Sequence, residues 1–427
     1  PMLVGNIFQQ FYSMVDAMVV GRFVGVNAFA AIGATNSVLY LMISLIIGFT
    51  VGTSVVTAQA MGAKDKEKLR AIGGLAVVMA AGLAVVLGLG GGACSRAVLR
   101  LLHTPQDIYT DAVAYLTFNF ATCLAPIAYN LVSSMLRSMG DSKTPLYALV
   151  LSSAVNIALD LLFVLCFHMG VVGVALATAL AQALSALFCM AALVRHHPYM
   201  ALTWRCIRVR RDLLFDILRI GLPMALQNLM TSLGMMAVQR LINRFGSVVV
   251  AGYAAAAKVD QIGIQPMNAL GNAMSTYAGQ NLGANRPERI HEGVRKAVLL
   301  SVALCLALSA AILLAGRPLL EWVVGARETE VIAVAREYLV IVSSFYFVGS
   351  LMYIYMNTLR GMGQALLPTL AGFVELFVKV GAAYGMALCL SYHALWFAWP
   401  LGWAAATALL ITAYARMRRT AGTQQVQ

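Results

Sequence analysis

The sequence predicts an all-α integral membrane protein with twelve transmembrane helices, from its composition and its repeated apolar runs. Of the 427 residues, 61% are hydrophobic and only 11% are charged, whereas soluble domains carry about 25% charged residues. A helix needs roughly 20 apolar residues to cross the bilayer core, and such runs recur from end to end. We number the predicted spans helix 1 to helix 12, with limits at 1–22, 32–59, 72–93, 107–136, 145–167, 171–194, 214–242, 252–281, 296–316, 330–358, 364–389 and 392–415. The chain opens at Pro1 inside an apolar run, so helix 1 is expected to be truncated at its start.

The placement of the basic residues predicts the orientation of the chain. Its formal charge is +13, from 30 Lys and Arg against 17 Asp and Glu, and the cations lie between apolar runs, which favours membrane topology over nucleic-acid binding. Alternate loops share them unevenly. One side holds Lys64, Lys66, Lys68, Arg70, Arg137, Lys143, Arg195, Arg205, Arg208, Arg210, Arg211, Arg219, Arg286, Arg289, Arg295, Lys296, Arg360, Arg416, Arg418 and Arg419. The other side holds Arg22, Arg96, Arg100, Arg240, Arg244, Arg317 and Arg327. The side with more Lys and Arg, which includes both termini, is therefore expected to face the cytoplasm, with the protein in a bacterial-type inner membrane.

An internal repeat divides the chain into two six-helix lobes. The longest polar connection, 195–213, is predicted to be a cytoplasmic loop between an N-terminal lobe at 1–194 and a C-terminal lobe at 214–427, which ends in a short basic tail. A shift of about 222 residues aligns Pro1-Met2 with Pro223-Met224, Arg22-Phe23 with Arg244-Phe245, Tyr115-Leu116 with Tyr338-Leu339, and Leu136-Arg137 with Leu359-Arg360. Because each lobe has an even number of spans, the lobes share one orientation, and their pseudo-twofold axis runs along the membrane normal.

Two carboxylates are predicted to lie inside the N-terminal lobe, where an ionisable group is costly and usually functional. Asp16 falls in the middle of helix 1, and Asp160 follows Asn156 by four residues, on one face of helix 5. Stacked oxygen ligands of this kind suit a hard cation or a proton. The alternative is that both aspartates only pin neighbouring helices by hydrogen bonds.

The C-terminal lobe carries two more intramembrane acids. Glu375 and Lys379 are four residues apart on helix 11, a spacing that favours a structural ion pair. Asp260 on helix 8 lies only two residues after Lys258, so these two do not share a face. Two interpretations of Asp260 stay open: it lines a cavity for a cationic substrate, or it bonds a neighbouring helix.

The matched segments resemble the multidrug and toxic compound extrusion family over essentially the whole chain. The resemblance is carried by residues 9–16 leading to Val20-Gly21-Arg22, by residues 59–63 at the end of helix 2, and by residues 136–141 closing helix 4. It implies a secondary active exporter that antiports organic, cationic or amphipathic compounds against sodium ions or protons by alternating access. It also implies small organic substrates, no cofactor beyond the coupling ion, and no enzymatic activity.

The closest likeness is to the DinF-like branch, which implies a coupling site in the first lobe. The matching positions for this site are Asp16, Asn130, Asn156, Asp160 and Thr178. The same likeness makes Gln9, Tyr12 and Tyr115 candidates for the substrate cavity, with simple packing as the alternative for Gln9 and Tyr12. No acid occurs between Asp216 and Asp260, which argues against the second-lobe site of the NorM-like branch.

Prolines are predicted to bend four spans, because each removes a backbone hydrogen bond. They are Pro126 in helix 4, Pro266 in helix 8, and Pro1 and Pro223 at matching places in helices 1 and 7. A bend of helix 1 coupled to the state of Asp16 is one hypothesis. A static kink is the alternative.

Missing motifs exclude several other classes of protein. There is no G-x-x-x-x-G-K-[ST] phosphate loop, which argues against ATP as the direct energy source. The seven cysteines are scattered without a C-x-x-C pair, so neither disulfides nor zinc are expected. The main alternative is a lipid-linked oligosaccharide flippase of related architecture. Such a flippase is expected to hold the pyrophosphate with several cationic residues in its cavity, and this sequence has few basic residues within its spans. A membrane-embedded transferase and a passive channel are weaker alternatives. Two complete lobes predict a functional monomer.

Overall fold

The computed structural model describes residues 3–5, 8–9, 19–102, 104–200, 210–325, 327–389 and 392–424, and these contain helices and no strands. Pro1, Tyr12 and Asp16 lie outside the described residues. The helices after helix 1 have these bounds: helix 2 Val26–Gly62, helix 3 Lys66–Val85 and Gly92–Leu101, helix 4 Gln106–Ala121 and Leu124–Ser138, helix 5 Lys143–Leu161, helix 6 Gly170–His196, helix 7 Arg211–Ile242, helix 8 Ser247–Gly283, helix 9 Pro287–Val324, helix 10 Thr329–Ser344 and Tyr346–Gly361, helix 11 Leu366–Cys389, and helix 12 Tyr392–Leu395 and Ala398–Gln424.

The all-helical membrane class predicted from the sequence is confirmed. Within the described ranges, eight helices are long and apolar enough to cross a membrane, and ten if each of two bent pairs is one span. Several helices extend beyond the limits predicted from the sequence. Helix 9, for example, begins at Pro287 instead of residue 296, because proline fits the first turn of a helix and the polar residues after it extend the helix beyond its apolar run.

The predicted spans of helices 4 and 10 each consist of two shorter helices: the two halves of helix 4 meet at 47° and those of helix 10 at 51°. A bend in helix 4 was predicted at Pro126, and none was predicted in helix 10. In helix 4 the break precedes Pro126, which has no N–H to donate to the Thr122 carbonyl. The N–H of Ala125 donates to that carbonyl instead, at 3.1 Å. Proline therefore accounts for the break in helix 4.

Helix 10 breaks at Phe345 without a proline. Helix 9 contributes to this break, because the hydroxyl of Ser309 donates to the Ser343 carbonyl at 2.5 Å. A carbonyl released by a break inside a membrane protein must find such a partner, since no lipid tail supplies one. The broken helix is thus stabilised by a hydrogen bond from outside its own chain segment.

The chain consists of two compact units, Pro1–Ala225 and Leu226–Gln427, so the boundary between them falls inside helix 7. The start of helix 7 belongs to the first unit because it crosses helix 2 closely. A Cβ atom at Gly48 would lie 2.6 Å from the Gly221 carbonyl oxygen, and one at Gly52 would overlap the Ile217 carbonyl. Glycines four residues apart allow this approach of two backbones, as in other membrane helix pairs.

Gly52→Leu is expected to destabilise the first unit by about 1–3 kcal/mol, because the added side chain overlaps backbone that cannot move aside. Gly33→Leu is the matched control, since it lies on the same helix and nothing approaches its Cβ position within 4 Å. Thermal unfolding of the purified variants measures the difference. Equal midpoints for the two variants would contradict the close crossing.

The connection after helix 4 is organised by Asp141. Burial raises the pKa of this carboxyl, but hydrogen bonds from the Thr144 hydroxyl (2.5 Å) and the N–H groups of Thr144 and Lys143 (3.0 Å each) outweigh burial and lower the pKa. His196, 3.8 Å away, acts in the same direction. Asp141 therefore holds the first turn of helix 5 in place.

A group with a lowered pKa contributes stability above its unfolded pKa, about 3.9 for Asp, and loses it as the pH falls through the folded value. We therefore expect Asp141→Ala to lose about 0.5–2 kcal/mol at pH 7 and progressively less than that below about pH 4. Thermal unfolding across this pH range tests the expectation. A loss that does not change with pH would show that the charge is irrelevant.

The second unit has an aromatic core centred on helix 8. Tyr253 packs against Tyr338, Trp396 and Trp399, with ring centroids 5.5, 6.0 and 5.8 Å away. All four side chains are buried. Rings of this size bury large apolar areas, so this cluster packs helices 8, 10 and 12 against one another.

Candidate functional site

Helices 5 and 6 bring together three of the predicted coupling residues. Asn156 and Asp160 lie one turn apart on helix 5, and both are completely buried. The orientation of the Asn156 amide that satisfies its neighbours directs its nitrogen to Asp160 Oδ2, 3.0 Å away, and its oxygen to the Thr178 N–H, 3.2 Å away. The Thr178 hydroxyl lies 3.4 Å from the same amide group. We call Asn156, Asp160 and Thr178 the helix 5–6 cluster.

The local chain geometry places this cluster at a change in helix type. The α-helical hydrogen bonding of helix 5 ends at Leu161, and a π-helical turn follows at Leu162–Cys166. Single π-helical turns occur often at functional sites. His168 and Gly170, both with positive φ (51° and 57°), then reverse the chain so that helix 6 returns along helix 5.

Of the other first-lobe candidates, Asn130, Tyr115 and Gln9 lie within the described residues. The amide nitrogen of Asn130 donates to the Pro126 carbonyl at 2.8 Å, within its own helix. Tyr115 is buried in an apolar group that includes Val20, Val164 and Val174. Gln9 is exposed. Pro1, Tyr12 and Asp16 fall where the chain is not described, so their roles stay predictions.

Asp260 bonds a neighbouring helix. Only 6% of its surface is exposed. Its Oδ1 accepts from the Tyr346 hydroxyl at 2.7 Å and its Oδ2 from the Tyr338 hydroxyl at 3.2 Å. Both tyrosines belong to helix 10, one on each side of its break. Neither tyrosine was predicted as a partner of Asp260, although Tyr338 matches Tyr115 in the repeat.

Glu375 and Lys379 form a buried ion pair. Lys379 Nζ lies 2.7 Å from Glu375 Oε1, and 5% of the lysine side chain and 11% of the glutamate side chain are exposed. Helix 12 covers the pair: a Cβ atom at Gly402 would lie 3.1 Å from the Cβ of Lys379. The absence of a side chain at Gly402 therefore lets helix 12 close over both charges.

A second buried cation is Arg360, which was predicted to lie on the cytoplasmic side between spans. Arg360 is 7% exposed, and it donates to Gln227 Oε1 at 2.6 Å and to Asn357 Oδ1 at 3.5 Å. Its repeat counterpart, Arg137, donates to the Ser133 hydroxyl at 3.2 Å. The Leu-Arg pair that recurs in the two lobes was the sequence feature that could have indicated a structural role for these arginines.

The remaining prolines lie inside long helices. Pro223 falls within Arg211–Ile242 and Pro266 within Ser247–Gly283, and neither helix is divided there. Their predicted role in bending stays a prediction. Across the described residues, no group of three or more His, Cys, Asp or Glu side chains is arranged to hold a metal ion, and Cys94, Cys123, Cys166, Cys189 and Cys305 are free thiols.

Comparison with known proteins agrees with this architecture. A family model described as MatE matches residues 1–162 and again residues 223–385. The two matches start 222 residues apart, the same shift that aligns the two halves of the sequence, and this agreement supports the internal repeat. "Probable multidrug resistance protein YoeA" of Bacillus subtilis strain 168 is 30% identical over 97% of this chain and 91% of its own length.

Two solved structures share the fold over nearly the whole chain. One is a MATE in complex with MaL6, with a TM-score of 0.92, 25% identity, and coverage of 99% of this chain and 95% of that one. The other is the outward-facing conformation of a multidrug resistance MATE family transporter of the MOP superfamily, with a TM-score of 0.90 and the same identity and coverage. The chain is thus similar to membrane transporters along its full length.

Proposed function

The chain belongs to the MatE family, and from this we propose that it exports small organic compounds, cationic or amphipathic, in exchange for sodium ions or protons. Members of this family are transporters and not enzymes. We place the protein in a bacterial-type inner membrane as a monomer, with both termini in the cytoplasm. An ion gradient, and not ATP, drives the transport in this proposal.

The observation that supports this proposal most strongly is the helix 5–6 cluster. A carboxylate, an amide and a hydroxyl converge there, completely buried at Asn156 and Asp160. Burying a carboxylate between membrane helices is costly, and such groups usually mark an ion or proton pathway. A purely structural contact between helices 5 and 6 would not need the charge.

Coupling requires that the ion and the substrate favour different states of the protein. We propose that an ion or proton bound to Asp160, with Asp16 and Asn130 completing the site, reshapes the first-lobe cavity. That cavity is assigned to Gln9, Tyr12 and Tyr115. Neutralising the carboxylate lowers the affinity for a cationic substrate, which is then released outward.

The experiment is uptake of a fluorescent organic cation into everted membrane vesicles that contain the protein. The proton gradient and the sodium gradient are dissipated separately. We expect accumulation to require one of the two gradients, and that gradient identifies the coupling ion. Accumulation that survives loss of both gradients would reject ion coupling, and vesicles that move no organic cation but translocate a lipid-linked oligosaccharide would establish the flippase instead.

A further inference from the structure

We propose that Asp260 is a second protonation site, in the C-terminal unit, and that its ionised carboxylate clamps the two halves of helix 10. The carboxylate lies thirteen residues from the start of helix 8 at Ser247, which is about 20 Å along the helix. Asp260 thus lies inside the apolar span predicted for helix 8, residues 252–281. None of the ion pairs among the described residues includes it.

The geometry of the bonds connects the carboxylate to the break. Tyr338 lies on the first half of helix 10, Thr329–Ser344, and Tyr346 is the first residue of the second half. Each phenol donates to a different oxygen of Asp260. A single side chain on helix 8 therefore bridges the 51° bend at Phe345.

Close packing of helix 8 against helix 10 holds Asp260 and the two tyrosines in position. Helix 8 presents glycines to both halves of helix 10: a Cβ at Gly252 would lie 2.7 Å from Val334, and one at Gly263 would lie 2.6 Å from the Tyr346 hydroxyl. Gly263 is one turn from Asp260, on the same face. The bonded phenol therefore occupies the space that the missing side chain leaves.

The partners of Asp260 are suited to a proton. A hard cation such as calcium holds its oxygen ligands at about 2.3–2.6 Å, and two phenol oxygens already at hydrogen-bond distance from the carboxylate leave no space for an ion between them. The further titratable groups facing this site are the Tyr253 phenol on helix 8 and the Cys305 thiol on helix 9. Lys258, on the same helix, is exposed on another face.

Proton binding changes the bonding at the clamp. An ionised carboxylate only accepts hydrogen bonds, so both phenols donate to it. A proton on Oδ2 turns that oxygen into a donor, and Tyr338 must then accept or lose its bond. The hydrogen bond from Tyr338, at 3.2 Å, is longer than the usual 2.7–2.8 Å for O–H···O bonds. We therefore expect protonation to break this bond and to leave the shorter bond from Tyr346 in place. The first half of helix 10 is then released from this hydrogen bond to helix 8.

The role of this release in transport rests on the proposed function, but proton binding itself can be tested without transport. Infrared difference spectra are recorded on the purified protein in lipid nanodiscs between alkaline and acidic pH, for the native chain, Asp260→Asn and Asp160→Asn. We expect one carbonyl band of a protonated carboxyl group to be lost in Asp260→Asn and retained in Asp160→Asn. Tyr346→Phe keeps the band but shifts its frequency, because the carboxyl loses a hydrogen-bond partner.

The clamp has its own readout in hydrogen exchange of the backbone amides around Phe345. Exchange at alkaline pH is expected to be roughly tenfold faster in Tyr338→Phe and Tyr346→Phe, the change expected for the loss of a hydrogen bond to a charged group. It should not change in Asp160→Asn. An identical band pattern in Asp260→Asn, or a band that responds to sodium at fixed pH, would overturn the proton assignment; unchanged exchange in both tyrosine variants would overturn the clamp.

Discussion

Asp160→Asn is expected to reduce gradient-driven efflux to the background of membranes without the protein, while the protein still folds. Asparagine has the same shape, and its oxygen still accepts from the Asn156 amide, which now lies 3.0 Å from Asp160 Oδ2. What is lost is the ability to carry a charge or a proton. Efflux of a fluorescent organic cation at matched expression measures the effect, and thermal unfolding of the purified variant confirms that it is folded.

The matched control is Asp111→Asn, which makes the same chemical change at an exposed position in the first half of helix 4. It is expected to transport like the native chain. Thr178→Val should give an intermediate loss, because it removes one hydroxyl oxygen from the cluster but leaves the carboxylate. Native efflux in Asp160→Asn would remove the helix 5–6 cluster from the coupling mechanism.

Lys379→Met is expected to lower the free energy of unfolding by about 3–5 kcal/mol, the usual effect of leaving one partner of a buried ion pair unpaired. Glu375 would then keep a charge beneath helix 12, where the pair is almost completely covered. Replacing both residues, as Glu375→Gln with Lys379→Met, should recover most of the loss because no unpaired charge remains. Chemical denaturation of the three proteins measures these differences.

Helix 9 supplies a control at the same spacing. Lys296 and Glu292 form an ion pair at 2.6 Å, but their side chains are 74% and 62% exposed. Exposed pairs of this kind contribute between zero and about 1 kcal/mol, so Lys296→Met should have little effect. If Lys379→Met is no more costly than Lys296→Met, Glu375 is neutral or solvated in the protein, and the pair has no structural role.

The sequence was most informative where a single helix determines the arrangement. Spacing alone placed Asn156 with Asp160 and Glu375 with Lys379, because residues four apart share one face of a helix. Apolar run lengths identified the membrane helices, and the repeat was visible as matching segments. These features depend on local geometry, which the order of residues determines directly.

Partners on other helices were not predictable in this way. Nothing in the neighbourhood of Asp260 indicates that Tyr338 and Tyr346 bond it, because those residues are brought near by packing between helices 8 and 10. The break at Phe345 was missed because no proline marks it. Its position is related by the repeat to the break before Pro126, and comparison of the two lobes would have suggested it.

The most direct test of ion-coupled export is ion movement driven by substrate. Purified protein in liposomes, with pH-sensitive and sodium-sensitive dyes inside, receives an inward gradient of an organic substrate and no ion gradient. Antiport predicts that substrate entering the liposomes drives protons or sodium ions out, and that Asp160→Asn stops this flux. Substrate uptake without any movement of either ion would contradict the account.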